Sequence, residues 1–414
     1  MTVTAHLRQA LWLKDGAVAR LLAVLHRDGE EARVVGGAVR NELMHRPVGE
    51  IDVATTATPD EVIRRTTAAG FKAVPTGIEH GTVTVIIDGK PFEVTTLRRD
   101  VETYGRKAKV VFGRDWAADA ARRDFTMNAL SVTADGELFD YVGGGEDIAA
   151  HRVRFIGEPR LRIAEDYLRV LRFFRFHAWY GEGAPDAAGL QACIAGRAGL
   201  ALLSRERIRM ELLKLLLAPH ATPALAVMAE TGILPGVLGG VPFLASFESI
   251  AKVEATSGSE PDPMRRLAAL AVWVVEDAER LADRLRLSGV EAERLKALDG
   301  WWRLSPAAGE PAAHALLYRR EAHFTDSVLL AWSRSSASAV DDAWRRLADL
   351  PRRWAVPVFP LKAADFMRRG VAAGPALGAV LRTAEDAWIA ADFPSDPVTI
   401  AAVADAAVKA VPQG

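Results

Sequence analysis

Short apolar runs separated by turn-forming residues fill the first third of the chain, and helical periodicity fills most of the rest. Ala32-Arg33-Val34-Val35 reads as a buried strand that ends at the glycine pair Gly36-Gly37. Val39 to Met44 then reads as a short helix, and Glu50 to Ala54 as a second strand. Pro59 to Ala69 has helical spacing, with Thr58 as N-cap and Pro59 at the first helical position. Thr82 to Ile87 and Pro91 to Leu97 flank Asp88-Gly89, a favoured tight-turn pair, and predict an antiparallel hairpin. On its second strand Phe92 and Val94 face the core, which leaves Glu93 beside Thr95 on the other face. These elements predict a small α+β domain ending near residue 150.

From Leu161 onward the pattern is helical. Leu168, Leu171, Phe174 and Phe176 interleave with arginines, and Leu200 to Leu217 reads as one long helix. Ser257 to Pro263 is the clearest linker, helices resume at Met264, and Pro351 to Pro360 is a second break. The Ala/Val-rich tail after Pro394 suits one last helix. Trp273, Trp301, Trp302, Trp332, Trp344, Trp354 and Trp388 read mostly as helix-packing residues. Neither an internal repeat nor a low-complexity tract is present.

Composition narrows the function classes. At 414 residues and 50% hydrophobic, the chain is long enough for two to four domains. Lys+Arg number 52 against 53 Asp+Glu, so a general nucleic-acid coat is not indicated and RNA contact needs a local patch. Arginine exceeds acid from Arg152 to Lys214, the best candidate for phosphate contact. The single cysteine, Cys193, excludes an intramolecular disulfide and a cysteine-rich zinc site, and fits a reducing cytoplasm. Met1 to His6 lacks the form of a signal peptide, and no apolar stretch is long enough to span a bilayer, so a soluble protein without a membrane partner is expected. The absence of any His-Asp dipeptide disfavours an attached HD-type phosphohydrolase.

The candidate chemistry gathers near the start. Gly36 and Gly37 let a ligand approach the backbone, the following helix offers free N–H groups to phosphate, and Arg40 adds a forked donor. Glu50 and Asp52, two apart on a strand, point the same way, and Glu93 on another strand can join them. Three carboxylates on one face suit Mg²⁺, which favours oxygen ligands and bridges carboxylates to substrate phosphates. The competing reading is a set of solvated acids at strand ends. Farther on, Asp166 and Arg169 share a helix face. They form either a surface salt bridge or a reader of bases, the carboxylate accepting from an amino group and the guanidinium donating to a ring nitrogen. Cytosine and adenine present that pattern; uracil and guanine present its reverse.

Six segments together resemble one family. They are Gly36 to Pro59, Glu93-Val94-Thr95-Thr96-Leu97-Arg98, Arg122-Arg123-Asp124-Phe125-Thr126-Met127-Asn128-Ala129-Leu130, Asp140 to Ile148, Glu165-Asp166-Tyr167-Leu168-Arg169, and Glu206-Arg207-Ile208-Arg209. In that order they resemble the signature of class II tRNA nucleotidyltransferases, which comprise CCA-adding enzymes and bacterial poly(A) polymerases. The likeness runs from residue 33 to about residue 217, with a weaker one through Gly374 to Gly378.

The resemblance implies an α+β fold, with a nucleotidyltransferase head built on a small mixed sheet and then an all-helical neck, body and tail. Their expected bounds are 1–150, 151–220, 221–300 and 301–414. It implies that Glu50, Asp52 and Glu93 hold Mg²⁺, and that Gly37, Arg40, Arg123, Asp166, Arg169, Arg172 and Arg175 contact the nucleotide. Arg172 and Arg175 have two readings, holding the triphosphate or pairing one of them with a head carboxylate.

The implied activity is CMP and AMP transfer from CTP and ATP to a tRNA 3′ end, with no protein partner. Its rivals are an A-adding enzyme or poly(A) polymerase, and a tRNA-binding protein with an impaired site. The family carries Asp where this chain has Glu50, usually Asp at Asn41, and commonly Gly at His45. The extra methylene of Glu50 can displace an oxygen by about an ångström, a shift that can cost roughly 10²-fold in rate.

Overall fold

The computed structural model describes residues 7–104 and 107–411; Met1 to His6, read above for a signal pattern, lie outside the described residues. The chain divides into two compact units, Met1–Val237 and Leu238–Gly414.

The first unit is built on a seven-stranded mixed sheet in the order β3-β4-β5-β2-β1-β8-β9. Its strands are β1 Ala32–Val35, β2 Asp52–Thr55, β3 Lys72–Gly77, β4 Thr82–Ile87, β5 Lys90–Thr96, β8 Ser131–Val132 and β9 Leu138–Phe139. A separate antiparallel ribbon joins β6 Arg98–Tyr104 to β7 Lys107–Phe112. Only the β2–β5 pairing is parallel; the others in the sheet are antiparallel.

The predicted hairpin forms between β4 and β5. Asp88 and Gly89 both have positive φ (52° and 78°), as the tight turn requires, and Val83 faces Val94 while Val85 faces Phe92. All four of these side chains are buried, so period-two alternation turns one face of the sheet inward. Helices α1 Gly16–Leu25, α2 Gly37–Leu43 and α3 Pro59–Ala68 contribute buried Leu21, Leu22, Leu25, Val39 and Val62 to this unit. As expected, Pro59 opens α3, and the Thr58 hydroxyl accepts from the Glu61 amide. Glu50, expected within the second strand, lies ahead of it in irregular backbone.

Helices follow: α4 Pro159–Glu165, α5 Leu168–Tyr180, α6 Ala187–Gly196 and α7 Arg205–Leu216. The single helix expected over Leu200–Leu217 is two elements. A 3₁₀ helix, Arg197–Leu202, ends at extended Leu203, and α7 starts after Ser204. Ser204 takes the N-cap position with extended backbone, but its side chain makes no capping hydrogen bond.

Among the described residues, the regular elements of the second unit are all helices. The linker read at Ser257 to Pro263 is a tight connection inside this unit. Helix α8, Leu244–Ser257, ends on left-handed Gly258, and α9, Pro263–Ala271, starts with Asp262 as its cap. Ion pairs hold the two together. Buried Glu254 binds both Arg265 and Arg266 at 2.8 Å. Arg265 and Arg294 also reach Asp326 on α10, Phe324–Arg334, at 2.9 and 2.6 Å. Trp332, Trp344 and Trp388 are buried packing residues, while Trp273 and Trp302 are exposed. The last helix expected after Pro394 is α12, Pro397–Ala410, which shares a small core with α11, Pro375–Ala390. Among the described residues no helix is long and apolar enough to cross a membrane.

Removing one partner of the Glu254 cluster leaves buried charge uncompensated. Glu254→Gln should therefore destabilise the protein by about 3 kcal/mol in chemical or thermal denaturation. Burial raises the Asp326 carboxyl, but hydrogen bonds and charge from Arg294 and Arg265 outweigh it and hold the group below its ordinary 3.8. A folded value below the unfolded one means this stabilisation is complete above 3.8 and is lost as pH falls through the folded value. Melting curves of Asp326→Asn should accordingly be less stable at neutral pH and show a smaller further loss in acid.

Candidate active site

Strand register assembles the site. β1 runs antiparallel to β2 with Val35 opposite Asp52, and β2 runs parallel to β5 with Asp52 beside Glu93. Register partners project to the same face, so Asp52 and Glu93 stand side by side on the face opposite buried Val53 and Val94. The glycine turn immediately follows Val35. Gly36 adopts φ 70° and ψ −120°, a conformation that disfavours any side chain, and its amide donates to the Leu130 carbonyl at 3.1 Å. Gly37 opens α2, two residues earlier than the helix start read from the pattern.

Electrostatics tie the three acids together. Partial removal from water raises the Asp52 carboxyl above its ordinary value; Glu93 and then Glu50 raise it further, against a smaller opposing pull from Arg123. Arg123 therefore belongs to this neighbourhood. Its guanidinium is braced by buried Asp119 at 3.2 Å, and a Cβ on Gly36 would lie 3.5 Å from its Nη1. Among the described residues no three His, Cys, Asp or Glu side chains close into a metal nest by themselves. The donors present fit a different arrangement. Mg²⁺ commonly takes one or two carboxylates and completes its shell with water and substrate phosphate. Asp52 and Glu93 are the pair placed to hold such an ion.

Arg40 is not turned toward open solvent. It is buried, and its donors go to the side-chain oxygens of Asn41 (Nε 3.1 Å, Nη2 2.8 Å), Asn128 (2.5 Å) and Tyr180 (2.7 Å). Its guanidinium also lies 3.9 Å from the Tyr180 ring centroid. Burial lowers it to about 10, so it stays charged at neutral pH. The free phosphate fork expected from Arg40 is thus a strut between α2, the Thr126–Asn128 turn and the end of α5.

The remaining predicted residues line α5 and its start. Asp166 and Arg169 do not share a helix face. Asp166 is extended (φ −155°, ψ 107°) at the break between α4 and α5. It accepts from the Leu168 amide and pairs with Arg207 at 2.6 Å, the helix expected to support it. Arg169 turns to Glu165 and the Arg162 carbonyl. Arg172 pairs with Asp124 of the head, the second of its two readings, and Arg175 with Glu211 at 2.6 Å. Burial raises the Asp124 carboxyl, but the Arg172 charge and hydrogen bonds from Arg172, Asn128 and the Phe125 amide hold it below the ordinary range.

Tyr180, Asp119 and Glu211 complete these networks and carry no sequence signal, since they lie in ordinary helical runs; Phe176 is one of the apolar residues that interleave with the arginines. Asn128 stood inside a quoted motif without being singled out.

Family comparisons agree with this architecture. The profile of the poly A polymerase head domain matches residues 32–154. A second, described as the probable RNA and SrmB-binding site of polymerase A, matches 189–247. Together they define a nucleotidyltransferase of the polymerase-A class. CCA tRNA nucleotidyltransferase 1, mitochondrial, from Danio rerio is 36% identical over 385 residues, covering 90% of this chain and 86% of that protein. The CCA-adding enzyme of Geobacillus sp. (strain WCH70) is 43% identical over 215 residues, about half of each chain (51% and 52%). The crystal structure of the Bacillus stearothermophilus CCA-adding enzyme in complex with CTP superposes with a TM-score of 0.74 at 28% identity, covering 94% of this chain and 96% of that one. The chain belongs to the family of CCA-adding tRNA nucleotidyltransferases.

Two substitutions test the local account by thermal melting. His45 closes α2 with φ 53°, in a left-handed cap where Arg46 N–H reaches the Asn41 carbonyl. His45→Gly should stabilise the protein by about 1 kcal/mol. Tyr180→Phe keeps the ring under Arg40 but removes an acceptor, and should destabilise by about 1 kcal/mol.

Proposed function

We propose that this protein is a template-independent CCA-adding enzyme that transfers CMP and AMP from CTP and ATP to the 3′ end of tRNA, releasing pyrophosphate. The observation that carries the reading is the Asp52–Glu93 register pair beside the Gly36 turn, in a chain of this family. In this reading residues 1–150 are the head, 151–220 the neck, 221–300 the body and 301–414 the tail, with head and neck inside the first compact unit.

The terminal ribose hydroxyl attacks the α-phosphorus in line, giving its proton to water, and the bond to the bridging oxygen of pyrophosphate breaks. Asp52 and Glu93, with Glu50 beside them, would hold Mg²⁺, and the ion would supply positive charge to offset the negative charge developing on the phosphate. Gly36 and Gly37 admit the triphosphate close to the backbone, and Arg123 faces it from Asp119. Arg40, Arg172 and Arg175 act by holding that surface and the neck together.

Base choice falls to Asp166 and Arg169. Asp166 already accepts from Leu168 and Arg207, but a carboxylate offers about four lone-pair sites and retains room for a base amino group. The hydrogen bonds of Arg169 run through Nη1, which leaves Nη2 and Nε to reach a ring nitrogen. Uracil or guanine at this site would leave polar groups unpaired. A reducing compartment, the cytoplasm in this reading, suits buried Cys193; the Danio rerio relative is named as mitochondrial, and cell fractionation separates the two.

End-labelling of tRNA lacking its terminal CCA should show Mg²⁺-dependent incorporation of CMP and then AMP, and neither UMP nor GMP. AMP without CMP would instead indicate an A-adding enzyme or poly(A) polymerase. Asp52→Asn should lower turnover by at least 10²-fold, with the folded state unchanged by circular dichroism. Glu50→Asp combined with Asn41→Asp tests the impaired-site rival: a large gain in turnover supports it, and an unchanged rate removes it.

A further inference from the structure

Most arginines from Arg152 to the start of α7 face carboxylates. Arg152 and Arg154 bind Asp147, Arg162 and Arg169 bind Glu165, and Arg207 binds Asp166. Arg172 and Arg175 are paired as described above. Arg160 on α4 and Arg197 at the start of the 3₁₀ helix differ. Both are exposed, and among the described residues neither guanidinium has a carboxylate partner; Arg197 donates only to the Ile194 carbonyl at 3.1 Å. The nearest acid in sequence, Glu158, caps α4 by accepting from the Arg160 amide.

These two arginines line a hollow of about 450 Å³ with Gln191 and Ile194. Two unneutralised guanidinium forks and a primary amide on one concave wall form a donor set for phosphate oxygens. Part of this wall, including Gln191 and Arg197, lies in the segment matching the probable RNA-binding profile. The 3₁₀ helix that starts at Arg197 ends at Leu202, which lines a second hollow with Asp166, Tyr167 and Arg207. The rise of the 3₁₀ helix separates Arg197 from Leu202 by about 10 Å. That helix is firmly seated, because a Cβ on Gly199 would lie 2.1 Å from the Tyr167 ring.

We propose that the Arg160–Arg197 hollow binds a backbone phosphate of the RNA strand whose 3′ end is extended near Asp166. This rests on the CCA-adding reading above and adds to it a subsite that grips the RNA and not the nucleoside triphosphate.

The test is the full-length Arg160→Gln/Arg197→Gln variant with tRNA lacking its CCA end. The KM for tRNA should rise about tenfold, and the log–log dependence of tRNA binding on salt should become shallower by about 1 to 2. The KM for CTP and turnover at saturating tRNA should stay unchanged. Arg160→Lys/Arg197→Lys, which keeps both charges, should retain the wild-type salt slope. An unaltered KM and slope in the glutamine variant overturns the proposal. So does a rise confined to the KM for CTP, which assigns the hollow to the triphosphate. Fluorescence anisotropy with the same tRNA reads the subsite even if wild-type protein incorporates nothing, so that result would defeat the functional reading and leave the subsite separately testable.

Discussion

Backbone register forces like charges together at Asp52 and Glu93, and the apolar core prevents their release. Sliding β2 by one residue against β5 would separate the carboxylates, but it would also expose Val53. The two carboxylates repel, and because both side chains reach solvent, water screens part of that repulsion. The core sustains that penalty, and Arg123, held by Asp119, offsets part of it. A surface kept in this state favours a cation and, through it, a polyanion. The glycine turn that follows β1 opens the backbone at the same place, so one set of strand pairings supplies both the charge and the access.

Arginine performs the opposite task in the neighbouring helices. Arg40, Arg172 and Arg175 all lie within 5.4 Å of the Phe176 ring centroid, and their polar ends go to Asn128, Asp124 and Glu211. A planar, weakly hydrated guanidinium can be buried against an aromatic ring while still satisfying several acceptors, which an ammonium does less well. Charge that counts as an excess along the sequence is therefore largely consumed inside the first unit. Net charge by segment overstates what is left for phosphate, and the few arginines without carboxylate partners become informative for that reason.

Local chemistry explains which parts could be read from the residues. The hairpin, the α3 cap and the inward faces of β4 and β5 follow from Asp88-Gly89, Thr58-Pro59 and strict alternation, all of which act within a few positions. The adjacency of Asp52 and Glu93 needed the pairing of β2 with β5, which spacing alone does not specify; the family likeness supplied it. The surroundings of Arg40 and Asp166 could not be read locally, because their partners include Tyr180 and Arg207, 140 and 41 positions away. Extended backbone at Leu203 and Ser204 interrupts a helix that apolar periodicity continues, and Glu254 with Arg265 closes a turn whose composition resembles a linker.

The three departures from the family pattern look different once placed. Asn41 accepts two hydrogen bonds from Arg40 through one oxygen, keeping the forked geometry without the charge, and Arg40 remains protonated at neutral pH. His45 occupies a left-handed position that histidine tolerates better than most residues. Glu50 is the decisive case. An added methylene on a ladder residue must displace its carboxylate, because the strand cannot retract. Glu50 instead precedes β2 in irregular, exposed backbone, where a small change in φ and ψ can take up the extra length. Its charge still reaches Asp52. The physical argument for an impaired site required Glu50 to be fixed on the strand; off the strand, the same substitution conserves the charge and leaves the Asp52–Glu93 pair intact.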